Sequence, residues 1–379
     1  MHLLLLTEYF PSGAISGGVE SRAFHLLREL AKKHRITVLC SYQGKSQHRL
    51  EHHAGITILR VGFKSPYSST GNILTRLSYA GAALLTGLFI PKVNVVEGFS
   101  YLTYPVASLI ALFRHKPAVA TYHESWTFRE WVKLKGWLTG TLGAIWTTLA
   151  LLLPFKRYIA VSNVTKQQLV KRGIPARKID VVYNGVDLAL MRSISVRPYR
   201  EPSVSTTVRL IKSKRVDTLI RATAELRKKL PNVKVTVQGV GEEQERLEKL
   251  VAKLKLNRNV EFRGRMGKFE DMLKLRKRHR VFCLPSEIEG FGMVVIEAMA
   301  LGIPVVCTDI PVLREVTGNG KGSLLFAKRS HKDLAHKLHQ LLTDQALYAK
   351  KQKEALAHAK AFDWVKLAKQ AEQTYRKVR

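Results

Sequence analysis

The stretch that most constrains the fold lies between Val281 and Gly302. A short apolar run, Val281 to Leu284, reads as a buried strand, and a loop with Pro285, Gly290 and Gly292 follows it. A helix from about Gly292 to Leu301 then stops at Gly302, with Pro304 just beyond. Strand, glycine loop and helix in this order form the repeating unit of an open α/β sheet, whose ligands bind at the carboxyl ends of the strands. The same alternation recurs along the chain. Strands are expected at Leu3–Leu6, Ile36–Cys40, Thr57–Val61, Val93–Val96, Ala118–Tyr122, Arg157–Val161 and Ile179–Tyr183, and again at Val233–Val237, Val260–Phe262, Val305–Cys307 and Leu324–Phe326. With 379 residues there is chain enough for two doubly wound domains. Between them, Leu188 to Thr207 has the prolines, serines and arginines of a linker.

Two carboxylates flank the helix entrance, Glu289 in the loop and Glu297 within the helix. Gly290 and Gly292 let backbone N–H groups approach an anion, and the helix adds its positive N-terminal end. Ionised carboxylates only accept hydrogen bonds, which suits them to sugar hydroxyls beside such a phosphate site. On spacing alone, a helix-capping Glu289 and a solvated Glu297 explain the pattern equally well. Other residues carry similar double readings. Gly17 and Gly18, ahead of a helix from Val19 to about Lys33, either make a turn or open amides to a ligand. His123 ends the strand AVATYH, where an ordinary packed histidine and a ligand-facing one both fit.

Composition narrows the partners. There are 63 basic and 29 acidic side chains, a formal charge of +34, and an anionic surface is the natural counterpart. No nucleic-acid-binding signature accompanies that charge, which disfavours nucleic acid. Cys40, Cys283 and Cys307 sit in apolar runs without metal-ligand spacing and read as packed thiols in a reducing compartment. The opening MHLLLLTEYF has too short an apolar core for a signal peptide, so a cytoplasmic protein is expected. From Gly136 to Phe155 no charge appears. Flanking tryptophans and basic residues point to a helix with a face in the lipid interface, joined by the run Tyr79 to Ile90, although an ordinary buried helix remains open.

The run SEIEGFGMVVIEAMALGIPVV resembles, nearly letter for letter, the E-x7-E signature of the retaining nucleotide-sugar glycosyltransferases of family 4. AVSNVTKQQLVKRGIPARKIDVVYNGVDL is a second close match, and the resemblance extends over nearly the whole chain. It implies the GT-B fold: two Rossmann-like domains facing across a cleft, with a C-terminal helix crossing back to the first. The implied boundaries are 1–190 for an acceptor domain, 191–207 for the linker, 208–361 for a donor domain and 362–379 for the terminal helix.

The resemblance also implies roles. Glu289 would hold hydroxyls of the donor sugar and Glu297 the nucleotide ribose, beside Gly290, Phe291, Gly292 and Met293. Arg209 and Lys214 match the family's phosphate-binding cations, while Val208 and Arg215 stand where it usually has glycine. Gly264 and Arg265 fall in the segment that reads the nucleobase. Gly18 would border the donor phosphates, and His123 would contact the transferred sugar without acting as nucleophile. The departing phosphate would take the acceptor's proton, with no metal and no cofactor beyond the nucleotide-sugar co-substrate, and domain closure would exclude water. The acceptor would be a lipid-linked or saccharide hydroxyl, with peripheral attachment to the inner membrane face. Two rivals remain: a non-catalytic nucleotide-sugar-binding protein and a nucleic-acid binder of the same fold.

Overall fold

The computed structural model describes residues 1–11, 17–43, 47–65 and 72–379. The chain divides into two compact units, one of residues 1–184 and 364–379, the other of residues 185–363.

In the first unit the strands are β1 (His2–Leu6), β2 (Arg35–Gln43), β3 (Leu50–His53), β4 (Ile56–Ser65), β5 (Val95–Gly98), β6 (Ala118–Tyr122), β7 (Arg157–Ala160) and β8 (Ile179–Val181). They form one sheet in the order β3-β4-β2-β1-β5-β6-β7-β8. Every neighbouring pair is parallel except β3 with β4. The short β3, not expected from sequence, is polar (LEHH) and protects the sheet edge as an antiparallel hairpin. The helices are α1 (Gly18–Ala31), α2 (Ile73–Phe89), α3 (Thr103–Phe113), α4 (Phe128–Lys135), α5 (Trp137–Leu151) and α6 (Asn163–Lys171). Leu4, Leu5 and Leu6 of β1 have no exposed surface, as a central parallel strand covered on both faces requires. Ser162 caps α6 by accepting from the Thr165 N–H at 3.0 Å.

The second unit opens with α7 (Leu188–Ser193) and contains β9 (Ser203–Thr207), α8 (Val216–Arg227), β10 (Lys234–Gln238), α9 (Gln244–Lys253), β11 (Val260–Phe262), α10 (Phe269–Lys277) and β12 (Val281–Leu284). There follow α11 (Met293–Ala300), β13 (Val305–Thr308), α12 (Pro311–Val316), β14 (Ser323–Phe326), α13 (His331–Thr343) and α14 (Gln345–Ala359). Its sheet, β11-β10-β9-β12-β13-β14, is parallel throughout. Residues 191–207 are therefore not a linker. They hold the end of α7 and all of β9, a central strand whose SVSTT sequence is buried although four of its five residues are serine or threonine.

The last helix, α15 (Trp364–Arg376), belongs to the first unit. Leu367, Ala368, Ala371 and Tyr375 are buried there, and the Trp364 ring stacks on His25 of α1 at 6.1 Å. The three cysteines are free and buried. Burial pushes the Cys40 thiol up to about 12 and raises Cys283 and Cys307 as well, so all three stay protonated and inert.

The uncharged stretch 136–155 holds one helix, α5, of 15 residues. Gly136, at φ 79°, separates α4 from α5, and no helix among the described residues is long and apolar enough to cross a membrane. The two helices lie close because a side chain at Gly140 would stand 2.6 Å from the Val132 Cα.

Candidate active site

In the second unit the sheet order reverses between β9 and β12. The first crossovers run from β9 to β10 and β11, and the next strand returns to the other side of β9. Such a switch point leaves a crevice at the carboxyl ends of the two strands. The loops after β9 and β12 meet there.

After β9 the chain passes exposed Arg209 and a single 3-10 turn, Lys212–Lys214, before α8. Arg215 caps that helix in the left-handed region, at φ 50° and ψ 38°. The glycine that the resemblance leads one to expect here would adopt this conformation freely, whereas arginine bears a cost of about 1 kcal/mol. Its guanidinium is tied to Asp217 at 3.0 Å. Val208 has a different explanation. Its carbonyl oxygen lies where a side chain on Gly239 would be, at 1.9 Å, and the Leu210 carbonyl stands 2.3 Å from the same position on Gly241. The Gly239-x-Gly241 pair thus makes room for the loop after β9.

After β12 the loop is pinned to that 3-10 turn twice. The Glu287 N–H donates to the Ser213 carbonyl at 2.8 Å, and Lys214 Nζ donates to Glu289 Oε1 at 2.7 Å. Two residues 75 positions apart in sequence thereby share one site, each keeping part of its side chain exposed, 17% for Lys214 and 11% for Glu289. Gly290 precedes Phe291, which is buried with its ring 6.1 Å from that of Phe362. Gly292 follows at φ 87°, and Met293 begins α11. Phe291 thus anchors the loop from the inside, with Gly290 beside it half-buried.

Glu297 lies in the second turn of α11 and is only 6% exposed. Its Oε2 accepts from Arg276 Nη1 of α10 at 2.7 Å. Glu287, which sequence reasoning did not single out, is buried and held by Arg329 at 2.5 Å and Lys328 at 3.4 Å. Gly264, at φ 57°, and exposed Arg265 follow β11, two strands from β9, where the Gly264 carbonyl accepts from the Gly239 N–H at 2.9 Å.

The first unit has its own switch point, between β1 and β5. Of the loop after β1, residues 12–16 lie outside the described residues. Gly17 and Gly18 lead into α1, and the Glu20 carboxylate folds back over Gly17, 2.3 Å from where a side chain there would begin. His123 stands directly after β6, its ring 5.8 Å from that of Phe99, and its buried Nε2 has no hydrogen-bond partner among the described residues. Burial, aided by the Arg22 charge, lowers its pKa to about 3, so the imidazole is neutral at physiological pH. Beneath it, Glu97 of β5 accepts from Thr121 Oγ1 at 2.6 Å and from Tyr375 OH at 2.7 Å. Arg22 of α1, fully buried, donates to the carbonyls of Val182 and Tyr183 and to Asn184 Oδ1.

Among the described residues no three His, Cys, Asp or Glu side chains gather as a metal would require. Arg209, Lys214 and the first turn of α11 place positive charge near the carboxyl ends of β9 and β12.

Comparison with known proteins fits this arrangement. The family description "Glycosyltransferase Family 4" matches residues 16–190, and "Glycosyl transferases group 1" matches residues 189–358. The chain is a GT-B glycosyltransferase of the family 4 type. Among curated proteins, the glycogen synthase of Mycobacterium tuberculosis is 28% identical over 99% of this chain and 94% of its own length. An N-acetylgalactosamine-N,N'-diacetylbacillosaminyl-diphospho-undecaprenol 4-alpha-N-acetylgalactosaminyltransferase from Campylobacter jejuni is 30% identical over 52% of this chain and 53% of its own. The solved structure of Anabaena Alr3699/HepE in complex with UDP-glucose shares the fold, with a TM-score of 0.78, 20% identity and complete coverage of both chains.

The first unit of this glycosyltransferase also carries a broad apolar surface. Side chains of α2, α3 and α5 contribute to one core cluster on a single face of the sheet. Their outer sides leave Leu77, Phe89, Phe113, Trp137, Leu142 and Leu149 exposed, Phe89 at 84% and Trp137 at 71%. These three helices contain no acidic residue, and exposed Lys92, Lys116 and Lys156 follow them in turn. Only α5 and the later part of α2 were legible as apolar runs; the share of α3 appears once the topology places it between them.

Proposed function

We propose that this glycosyltransferase moves a hexose-type sugar from a nucleotide-diphosphate sugar to an acceptor hydroxyl, with retention at the anomeric carbon. The observation that carries the reading is the meeting of Lys214 and Glu289 at the switch point beside the entrance to α11. Charge develops on the leaving diphosphate, and Lys214, Arg209 and the backbone from Gly290 to Met293 are placed to stabilise it. Glu289 accepts from donor-sugar hydroxyls, Glu297 from the ribose, and Gly264 with Arg265 borders the base. In the first unit, Gly18 borders the phosphates, and the neutral His123 hydrogen-bonds the transferred sugar. The departing phosphate takes the acceptor's proton. Lysine and arginine supply the positive charge that a divalent ion provides elsewhere, so turnover proceeds without added metal. The complex of Alr3699/HepE with UDP-glucose supports a nucleotide-sugar donor for this fold.

A thermal-shift panel of UDP, GDP, ADP and their glucose conjugates tests the donor. A ligand at 100 times its Kd stabilises by about 2.7 kcal/mol. One nucleotide family is expected to raise the Tm of the wild type and to lose that effect in Glu297→Ala. A flat response to every nucleotide overturns the reading. The anomeric proton coupling of the transferred sugar then reports retention or inversion.

The acceptor in this reading is lipid-linked or saccharide, met at an anionic membrane surface on the cytoplasmic side. Support comes from the apolar face of α2, α3 and α5 with its basic surroundings, and from the diphospho-undecaprenol acceptor named for the Campylobacter jejuni relative. The protein is expected to float with vesicles containing anionic lipid, less with neutral ones, and to lose flotation when Trp137 and Leu142 both become Glu. Equal recovery with and without vesicles would sink membrane attachment.

A further inference from the structure

Glu289 and Glu297 belong to one signature, yet the structure treats them differently. The Lys214–Glu289 pair keeps both side chains partly open to ligand. In the Arg276–Glu297 pair the arginine is wholly buried and the carboxylate retains 8% of its side-chain surface. Arg276 therefore has no surface with which to touch a substrate.

We infer that Arg276 is a positioning residue that aims Glu297 at the donor's ribose. The inference rests on the ribose role proposed for Glu297. The guanidinium sits one residue before the end of α10, with its carbon 4.9 Å from the centre of the Phe282 ring on β12. That contact fixes the plane from which Nη1 reaches Glu297 Oε2 at 2.7 Å. With Oε2 held, the carboxylate cannot swing about its last torsion, and Oε1 has no partner among the described residues. The remaining exposed surface of the group then presents acceptor lone pairs in one direction. A ribose offers two neighbouring hydroxyl donors, and an acceptor-only carboxylate held in place matches them.

Stability alone is a weak reason for this pair. Nε and Nη2 of Arg276 are buried without partners, a cost that an apolar pair of similar volume would not carry. The neighbouring acids of the site use arginine and lysine from outside the α-helices, whereas Arg276 is carried on the helix α10, the more rigid support.

The test compares affinities for UDP and 2′-deoxy-UDP, or for the corresponding GDP or ADP pair selected by the thermal-shift panel, in wild type, Arg276→Gln, Arg276→Lys and Glu297→Gln. Losing a hydrogen bond to a charged group corresponds to a loss of about tenfold or more in affinity. Wild type is expected to prefer the ribose form by about that factor. Arg276→Gln should bring the preference close to one, raise the donor KM more than it lowers kcat, and add little when combined with Glu297→Gln. Arg276→Lys should restore part of the preference. A merely structural arginine would weaken both nucleotides alike and leave their ratio intact, and that result overturns the proposal. If Arg276→Gln does not fold, Arg276→Lys decides: a lysine lacks the planar fork, so an unchanged ratio in that variant overturns the proposal equally. Should Glu297→Gln keep the ribose preference, the assignment of Glu297 itself fails. Should it lose the preference while the Arg276 variants keep it, only the role of Arg276 fails.

Discussion

Lys214→Ala is expected to lower kcat by about 10²–10³ at saturating nucleotide sugar, the loss typical of removing one preorganised group from developing charge in a site shielded from water. The lysine donates to Glu289 Oε1 at 2.7 Å. In the mechanism we propose, a diphosphate, with more negative charge than one carboxylate, draws the ammonium away and leaves Glu289 to accept from sugar hydroxyls. The ion pair holds both side chains together where the loops after β9 and β12 meet. Both side chains are partly exposed, so the substitution should leave the melting temperature nearly unchanged. Steady-state kinetics together with a melting curve checks this. Activity within about threefold of wild type would remove Lys214 from the leaving-group site.

Glu97→Gln should reshape the pH dependence of stability. Burial drives the Glu97 carboxyl up from 4.5 to about 7, against hydrogen bonds from Thr121 and Tyr375 and the Arg22 charge, which pull it down. Between those pH values the unfolded chain has lost the proton that the native state still holds. Native stability therefore falls as pH rises from 4.5 to about 7, by on the order of 3 kcal/mol at most. The amide has no proton to lose, and one of the two hydroxyls can turn to accept from it. His123 and His279 act in the opposite sense. Burial lowers their pKa values to about 3 and about 4, so they lose stability as pH falls below 6.5. The readout is accordingly the difference between variant and wild type: close to zero near pH 4.5, and in favour of the variant by several degrees of Tm at pH 8. Parallel curves would show that Glu97 is ionised in the native state throughout.

The elements that sequence pattern locates best are those whose apolar runs are long or whose ends carry a glycine or a hydroxyl cap. Strands β6, β11 and β12 lie where the runs Ala118–Tyr122, Val260–Phe262 and Val281–Leu284 place them, and α6 starts at its Ser162 cap. Strand β9 escapes because burial of SVSTT relies on backbone pairing on both sides, which leaves no apolar signature. The break between α4 and α5 depends on Gly136 taking a positive φ and on glycines that admit Val132 and Trp131, packing that no local window contains. Pattern alone places Glu289 in a loop, Glu297 in the following helix and His123 at a strand end. The partnership of Glu289 with Lys214 and of Glu297 with Arg276 depends on the strand order of a sheet. Glu97 lies hidden inside the run VVEGFS, where nothing but its neighbours in space, Thr121 and Tyr375, marks it as buried.

The placement of α15 also bears on how the chain is made. Tyr375 reaches Glu97 across 278 positions and Thr374 reaches Asp180 across 194. Residues 1–184 therefore leave the ribosome with Glu97 uncovered, and about 180 more residues must follow before the helix that covers it exists. At 5–20 residues per second that interval is roughly ten to forty seconds. The second unit, continuous from 185 to 363, meets no such wait. The second unit, synthesised later, is the first that can be completed, and the first unit is finished only when α15 returns to it.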